Sequence, residues 1–278
     1  MRPLSNLRKA DKAHGDDLTL TRWIKEPGRH AKPSRTGLAP VTATGTRFPT
    51  RVLPISAMST ILVSGHSNVK IGRDVRKGKL RGYRIYTLSL EERATCPQSC
   101  AHWRSCYGNS MPFAKRVDHT DPAFLPALAD EIAMLMRKPW PGVLIRLHAL
   151  GDFYSPAYVE FWSDMLAKHP RLSIFGYTAH PWWSPIGAAI EGHLHRRYGL
   201  RAMIRHSGGR DQIITVLKGK TESVRYEPSP AMATISIKTE ADCPPDAFVC
   251  PEQTGKTRCC ATCAACWSTV KNVAFLDH

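Results

Sequence analysis

Residues 143–178 read VLIRLHALGDFYSPAYVEFWSDMLAKHPRLSIFGYT, and this stretch decides the fold. Val143 to Ala149 is a short, mostly apolar run bounded by turn residues, which reads as a strand. Ser155 is placed as a helix N-cap, and Pro156 suits the first turn. The apolar spacing that follows predicts a helix to His169, which Pro170 stops. Leu172 to Thr178 is again a strand. Strand, helix and strand in 36 residues make a βαβ unit, the building block of a parallel sheet.

The same alternation extends outward in both directions. Residues 83–90 alternate like a strand, and 121–137 read as a helix with Asp121 as N-cap and Pro122 in its first turn. Ser184 and Pro185 open a third helix ending near Gly199, followed by strands over Leu200–Arg205, Gln212–Leu217 and Ala231–Ile237. The expected fold is therefore α/β with a parallel sheet. Such sheets carry their reactive groups in loops at the C-terminal ends of strands. Two loops fall there: Cys96–Cys106 after the first strand and Leu150-Gly151-Asp152 after the second.

The nine cysteines fall into two groups. Cys96, Cys100 and Cys106 lie within eleven residues. Three thiolates can hold three irons of a [4Fe–4S] cluster and leave one iron open to a substrate or cofactor. A zinc site completed by His102 is the competing reading. Far downstream, Cys250 precedes Cys260-Ala-Thr-Cys263-Ala-Ala-Cys266-Trp267, a C-x2-C-x2-C run with one outlying cysteine. These four thiolates close a second [4Fe–4S] cage, for which a structural or electron-transfer role is expected; a zinc knuckle competes here as well. Cys243 and Cys259 remain, either as a substitute ligand or, for Cys243, as a reach across to the first group. His148 is a candidate acid/base or a core histidine, and Asp152 a cofactor-orienting carboxylate or a turn residue.

These motifs resemble two families. Radical S-adenosylmethionine enzymes carry C-x3-C-x2-C in the loop after the first strand of a partial (β/α) barrel. An aromatic residue follows the last cysteine, and a glycine–acid element follows the second strand. Cys96 and Cys100 match the first spacing, five residues rather than two precede Cys106, Tyr107 supplies the aromatic, and Gly151-Asp152 stands at the glycine–acid position. The resemblance implies a partial (β/α) barrel with a cysteine-rich C-terminal extension. It also implies S-adenosylmethionine as a possible cofactor, contacted by Tyr107, Gly151 and Asp152. Thr95-Cys96-Pro97, Cys100, Cys106-Tyr107, Gly151-Asp152-Phe153 and the terminal Cys-Trp motif together resemble the phage gene-product-88 family more closely, over roughly residues 60–270.

Charge points to a partner. The chain has 39 Lys+Arg against 23 Asp+Glu, a net charge of +16, which suits phosphate contacts with nucleic acid. Residues 1–51 read as a basic arm; a mitochondrial presequence is a weaker reading, because the arm contains acidic residues. Lys70, Arg73, Arg76, Lys77, Lys79, Arg81 and Arg84 form a second basic run. Arg196, Arg197, Arg201, Arg205 and Arg210 form a third, beside a glycine pair at Gly208 and Gly209 that could admit a phosphate. Trp103, Trp182 and Trp183 are candidates for base stacking or for the core. No apolar leader and no run of ~20 apolar residues is visible, so a cytoplasmic protein without membrane contact is expected. The expected division is an arm at 1–51, the α/β unit at 52–240 and the cysteine-rich extension at 241–278.

Overall fold

The computed structural model describes residues 46–100, 102–103, 106–207 and 232–276. The expected arm up to residue 45, the strand at Gln212–Leu217 and the glycine pair with Arg210 lie outside the described residues. The fold is mixed α/β around one large, mostly parallel sheet. In chain order its strands are β1 (Val52–Leu53), β2 (Val63–Ser64), β3 (Arg84–Ser89), β4 (Arg116–Val117), β5 (Val143–Leu150), β6 (Leu172–Thr178), β7 (Ala202–Ser207), β8 (Ala233–Ile237), β9 (Ala247–Val249) and β10 (Asn272–Leu276). β1 and β4 pair by themselves; the other eight are ordered β2-β3-β5-β6-β7-β8-β10-β9, and only β2 runs antiparallel.

The central strands β5, β6 and β7 are buried on both faces, as their mostly apolar character requires. Val143, Ile145, Leu147, Leu172, Ile174, Ala202 and Ile204 point into one core. That core is closed by the helices Phe124–Met136 (α2), Pro156–Lys168 (α3) and Pro185–Ala189 (α4) with its π-helical continuation Ile190–His195. Trp162, Tyr158, Phe124 and Phe153 are wholly buried there. Ile85, Leu144, Phe175 and Met203 point the other way, into a second core. No helix of comparable length covers that face among the described residues. It is covered by Ile71, Val75 and the cysteine-rich segment from Cys259 to Trp267.

Four local differences from the sequence reading have physical causes. The helix expected at 121 begins at Phe124, because Asp121 spends its carboxylate on Ile55 N–H (2.7 Å) and Ala123 N–H (2.9 Å), pinning the preceding turn. The third helix widens into a π-turn and ends at Gly199, which takes φ 51°. The strand expected from Leu200 starts at Ala202, since Gly199–Arg201 forms a 3-10 turn. The terminal cysteine-rich segment also contributes β9 and β10, and β10 is inserted between β8 and β9. β9 has three residues, too few for an alternation, and β10 reads Asn-Val-Ala-Phe-Leu, which does not alternate.

Candidate metal centre

β3 and β5 are parallel neighbours, and the first cysteine loop leaves the C-terminal end of β3. One helical turn, Glu92–Thr95 (α1), delivers Cys96, whose N–H bonds to Glu92 O at 3.0 Å. Pro97 turns the chain so that Cys100 N–H returns to its carbonyl, and Cys106 heads a 3-10 turn over Tyr107–Ser110. The three thiols lie within one another's electrostatic field. Burial, reinforced by Asp152, pushes the Cys96 thiol far up; burial pushes Cys106 up to about 11 and Cys100 in the same direction.

The loop is fastened by ion pairing that sequence reading did not single out. Arg116 donates to both carboxylate oxygens of Glu92 (2.6 and 2.9 Å), and the two side chains are 0% and 2% exposed. The same guanidinium caps the carbonyls of Ala114 (2.8 Å), Gly108 (3.3 Å) and Met111 (3.4 Å). Arg93 donates to Trp103 O (2.6 Å) and Asn109 Oδ1 (3.2 Å), with its guanidinium 4.5 Å from the Trp103 ring centre. Trp103, a candidate for base stacking or for the core, therefore already has an arginine on it.

The Gly151-Asp152 turn meets this loop through Thr95, whose hydroxyl accepts from Asp152 N–H (3.0 Å) and donates to Glu91 O (2.8 Å). Gly151 has φ 84°, and a Cβ there would stand 2.7 Å from Thr95 Oγ1, so the close approach needs glycine. Asp152 Oδ1 accepts from Phe153 N–H and Oδ2 from Ala179 N–H, both at 2.7 Å. The carboxylate thus ties the end of β5 to the end of β6, and burial raises its pKa to about 7. Tyr107 donates its hydroxyl to Ala149 O, with its ring partly exposed and its phenol held up at about 12 by burial. His148 goes elsewhere. β5 bulges against β3 between Arg146 and Leu150, and His148 packs on the helix side against Phe153 and Tyr158. Its Nε2 is 3.1 Å from Tyr158 Oη, and burial lowers its pKa to about 3.

The second group assembles on the face that no long helix covers among the described residues. Cys250 follows β9, and two helical turns, Cys260–Cys263 (α5) and Ala265–Ser268 (α6), carry the other three. The turns are separated by Ala264 at φ 61°. Cys250, Cys260, Cys263 and Cys266 lie in one shared field; burial pushes Cys260 up to about 12 and Cys266 in the same direction. Tyr177 donates its hydroxyl to Cys266 Sγ (3.1 Å). Cys259 packs in the second core and stands at the N-cap of α5, while Cys243 turns to Pro244 O (3.6 Å). Among the described residues no three His, Cys, Asp or Glu side chains are close enough to hold one metal ion. A single zinc needs sulfurs on a tetrahedron of edge ~3.8 Å, from its ~2.3 Å bonds. A cubane distributes its thiolates over separate irons and asks for a wider set. The donor chemistry of both groups, all thiol and largely desolvated, fits such a cluster.

The basic run divides into two parts. Lys70 pairs with Glu252 (3.1 Å), Arg73 lies 3.9 Å from Asp74, and Arg84 pairs with Asp74. Residues 70–76 also bind the cysteine segment through backbone bonds, Cys260 N–H to Lys70 O, Ala261 N–H to Ile71 O and Arg76 N–H to Ala261 O. Gly72 permits the approach: a Cβ there would stand 2.8 Å from Ala261 Cβ and 2.9 Å from Cys259 Sγ. Arg76, Lys77, Lys79 and Arg81 are exposed on the tight loop closed by Val75 and Tyr83. Arg205, counted with the third basic run, is fully buried and caps the carbonyls of Cys266, Lys271 and Thr269. The strand itself explains this: an arginine inside an apolar strand points into a core. Arg146 in β5 also leaves an apolar strand, but it is half-buried, with its Nε buried.

No helix among the described residues is long and apolar enough to cross a membrane. No solved structure matches the chain. The Gene 88 protein of Mycobacterium phage L5 is 27% identical over 139 residues, 48% of this chain and 54% of that protein, so the chain spans about half of the relative it matches. The family described as Gene product 88 matches residues 61–269, which takes in β3, both cysteine groups and the sheet between them. The chain belongs to the gene product 88 family.

Proposed function

We propose that this protein is an iron–sulfur protein with two [4Fe–4S] clusters, acting on or binding nucleic acid, in a radical-SAM-like partial barrel. The observation that carries the reading is the division of eight ordered strands by two cysteine groups. One stands at the C-terminal end of β3 with three thiols; the other stands with four on the face that the cysteine-rich segment covers. Cys96, Cys100 and Cys106 would hold the first cluster, and Cys250, Cys260, Cys263 and Cys266 the second. Bound clusters supply one-electron redox chemistry and, at an iron lacking a thiolate, a coordination position. The chain's own residues do the rest. Glu92 and Arg116 hold the first loop in shape. Thr95 fixes it to the Gly151-Asp152 turn. The exposed cations Arg76, Lys77, Lys79 and Arg81 offer a phosphate-binding edge.

A second reading, a non-catalytic redox-responsive nucleic-acid binder of a phage or mobile element, is favoured by one observation. Asp152 has both carboxylate oxygens occupied by backbone N–H groups, and His148 lies in an aromatic core, so neither is a free acid or base. Anaerobic reconstitution tests both readings. About eight irons with matching sulfide are expected from two four-iron clusters. Stoichiometric zinc without sulfide sinks the cluster reading. A change in the reduced cluster's electron paramagnetic resonance spectrum on adding S-adenosylmethionine favours the enzyme, and an unchanged spectrum favours the binder.

A further inference from the structure

Arg146 lies in the middle of β5, between Ile145 and Leu147, whose side chains enter the helix-covered core. Its own side chain crosses to the opposite face. The guanidinium carbon is 5.3 Å from the centre of the Tyr177 ring, and Tyr177 in turn donates to Cys266 Sγ. Cys260, Cys266 and Tyr107, the residue after Cys106, all lie within the field of the guanidinium. Arg146 Nε is buried without a hydrogen-bond partner, and the guanidinium makes no ion pair among the described residues. Arginine keeps its charge and carries five N–H donors. The side chain as a whole is half-buried, and a partly desolvated cation without an anion gains from a nearby counter-charge.

We propose that Arg146 is the counter-charge of the cluster held by Cys250, Cys260, Cys263 and Cys266, a positioning and potential-setting residue rather than a ligand. The inference rests on the iron–sulfur reading above. Thiols that ligate iron do so as thiolates, and the pair that flanks Arg146 then carries the negative charge it lacks in the metal-free protein. Cluster potentials respond to net local charge and to the environment of the sulfurs. The sign of a charge-removing substitution therefore reverses between the two states. In the metal-free protein, Arg146→Met deletes an unpaired cation at similar volume and does not lower the melting temperature. In the loaded protein it leaves the cluster uncompensated and makes reduction harder.

The experiment uses full-length protein carrying Cys96→Ala and Cys100→Ala, so that only the second group is titrated. Midpoint potentials are read by electron paramagnetic resonance during a redox titration, and the same samples are melted with and without cluster. Arg146→Met is expected to lower the potential by at least the tenfold change in reduced-to-oxidised ratio that about 59 mV represents for one electron. Arg146→Lys, which keeps the charge, is expected to restore most of it. A cluster of unchanged potential in Arg146→Met overturns the proposal and leaves the iron–sulfur reading standing. Equal loss of melting temperature in both states, with no rescue by lysine, shows a packing role and also overturns it. Wild-type protein without acid-labile sulfide removes both together.

Discussion

Replacing Glu92 by Gln should destabilise this protein more than almost any other single change of equal volume. Glu92 and Arg116 are 2% and 0% exposed and share two hydrogen bonds of 2.6 and 2.9 Å. Glutamine removes the negative charge and turns an N–H toward one guanidinium nitrogen, leaving a fully buried cation facing a donor. Removing one partner of a buried pair costs about 3–5 kcal/mol. At roughly 2–4 °C per kcal/mol for a domain of this size class, the melting temperature should fall by about 6–20 °C. Arg116→Met should cost a similar amount, because it also strips the donor from the carbonyls of Gly108, Ala114 and Met111. The double variant should be less damaged than the sum, since the second change removes the charge stranded by the first. Thermal melts of all four proteins under argon complete the cycle. Backbone hydrogen exchange over residues 92–117 should quicken in both single variants, because this pair holds the loop between Cys96 and Cys106. A fall below about 2 °C for Glu92→Gln, or additivity within about 0.5 kcal/mol, would refute the reasoning.

Further expectations concern the other parts of the molecule. Cys260→Ala should lower the melting temperature of reconstituted protein more than Cys96→Ala, because the second group is built into a core with Trp267 and Phe175; equal losses would contradict that division. His148 is held near pKa 3 against an ordinary 6.5, so the unfolded chain binds a proton that the folded chain refuses. Its contribution is fully present above pH 6.5 and is lost as pH falls toward 3, at roughly 1.4 kcal/mol per pH unit. His148→Phe should flatten that part of the stability profile, and an unchanged acid limb counts against the assignment. Changing Arg76, Lys77, Lys79 and Arg81 to Gln should reduce the log–log salt slope of nucleic-acid binding by up to about 3, from ~0.7–0.9 per phosphate. A wild-type protein that binds neither single- nor double-stranded nucleic acid at low salt refutes the basic-edge reading.

The sequence alone determined the sheet's middle and the position of its edge chemistry. The segments read as strands at 83–90, 143–149 and 172–178 recur as β3, β5 and β6, side by side and parallel, with their helices all in one core. Local periodicity and caps suffice for such elements, because each carries its own apolar pattern and its own stop signals. The spacing of the cysteines likewise marked the two groups before any fold was known. Only tertiary structure decided what each residue touches. Asp152 is consumed by the ends of β5 and β6, His148 is carried by a bulge to the helix side, and Cys259, outside the four-cysteine set, shares the second core with Cys266. Glu92 and Arg116 are 24 positions apart, and Arg146 meets Cys266 through Tyr177, 89 positions from that cysteine. Periodicity within a segment specifies which face a side chain takes. It carries no information about which distant segment covers that face, because that pairing is set by the packing of the whole chain and by the few polar groups each core must satisfy.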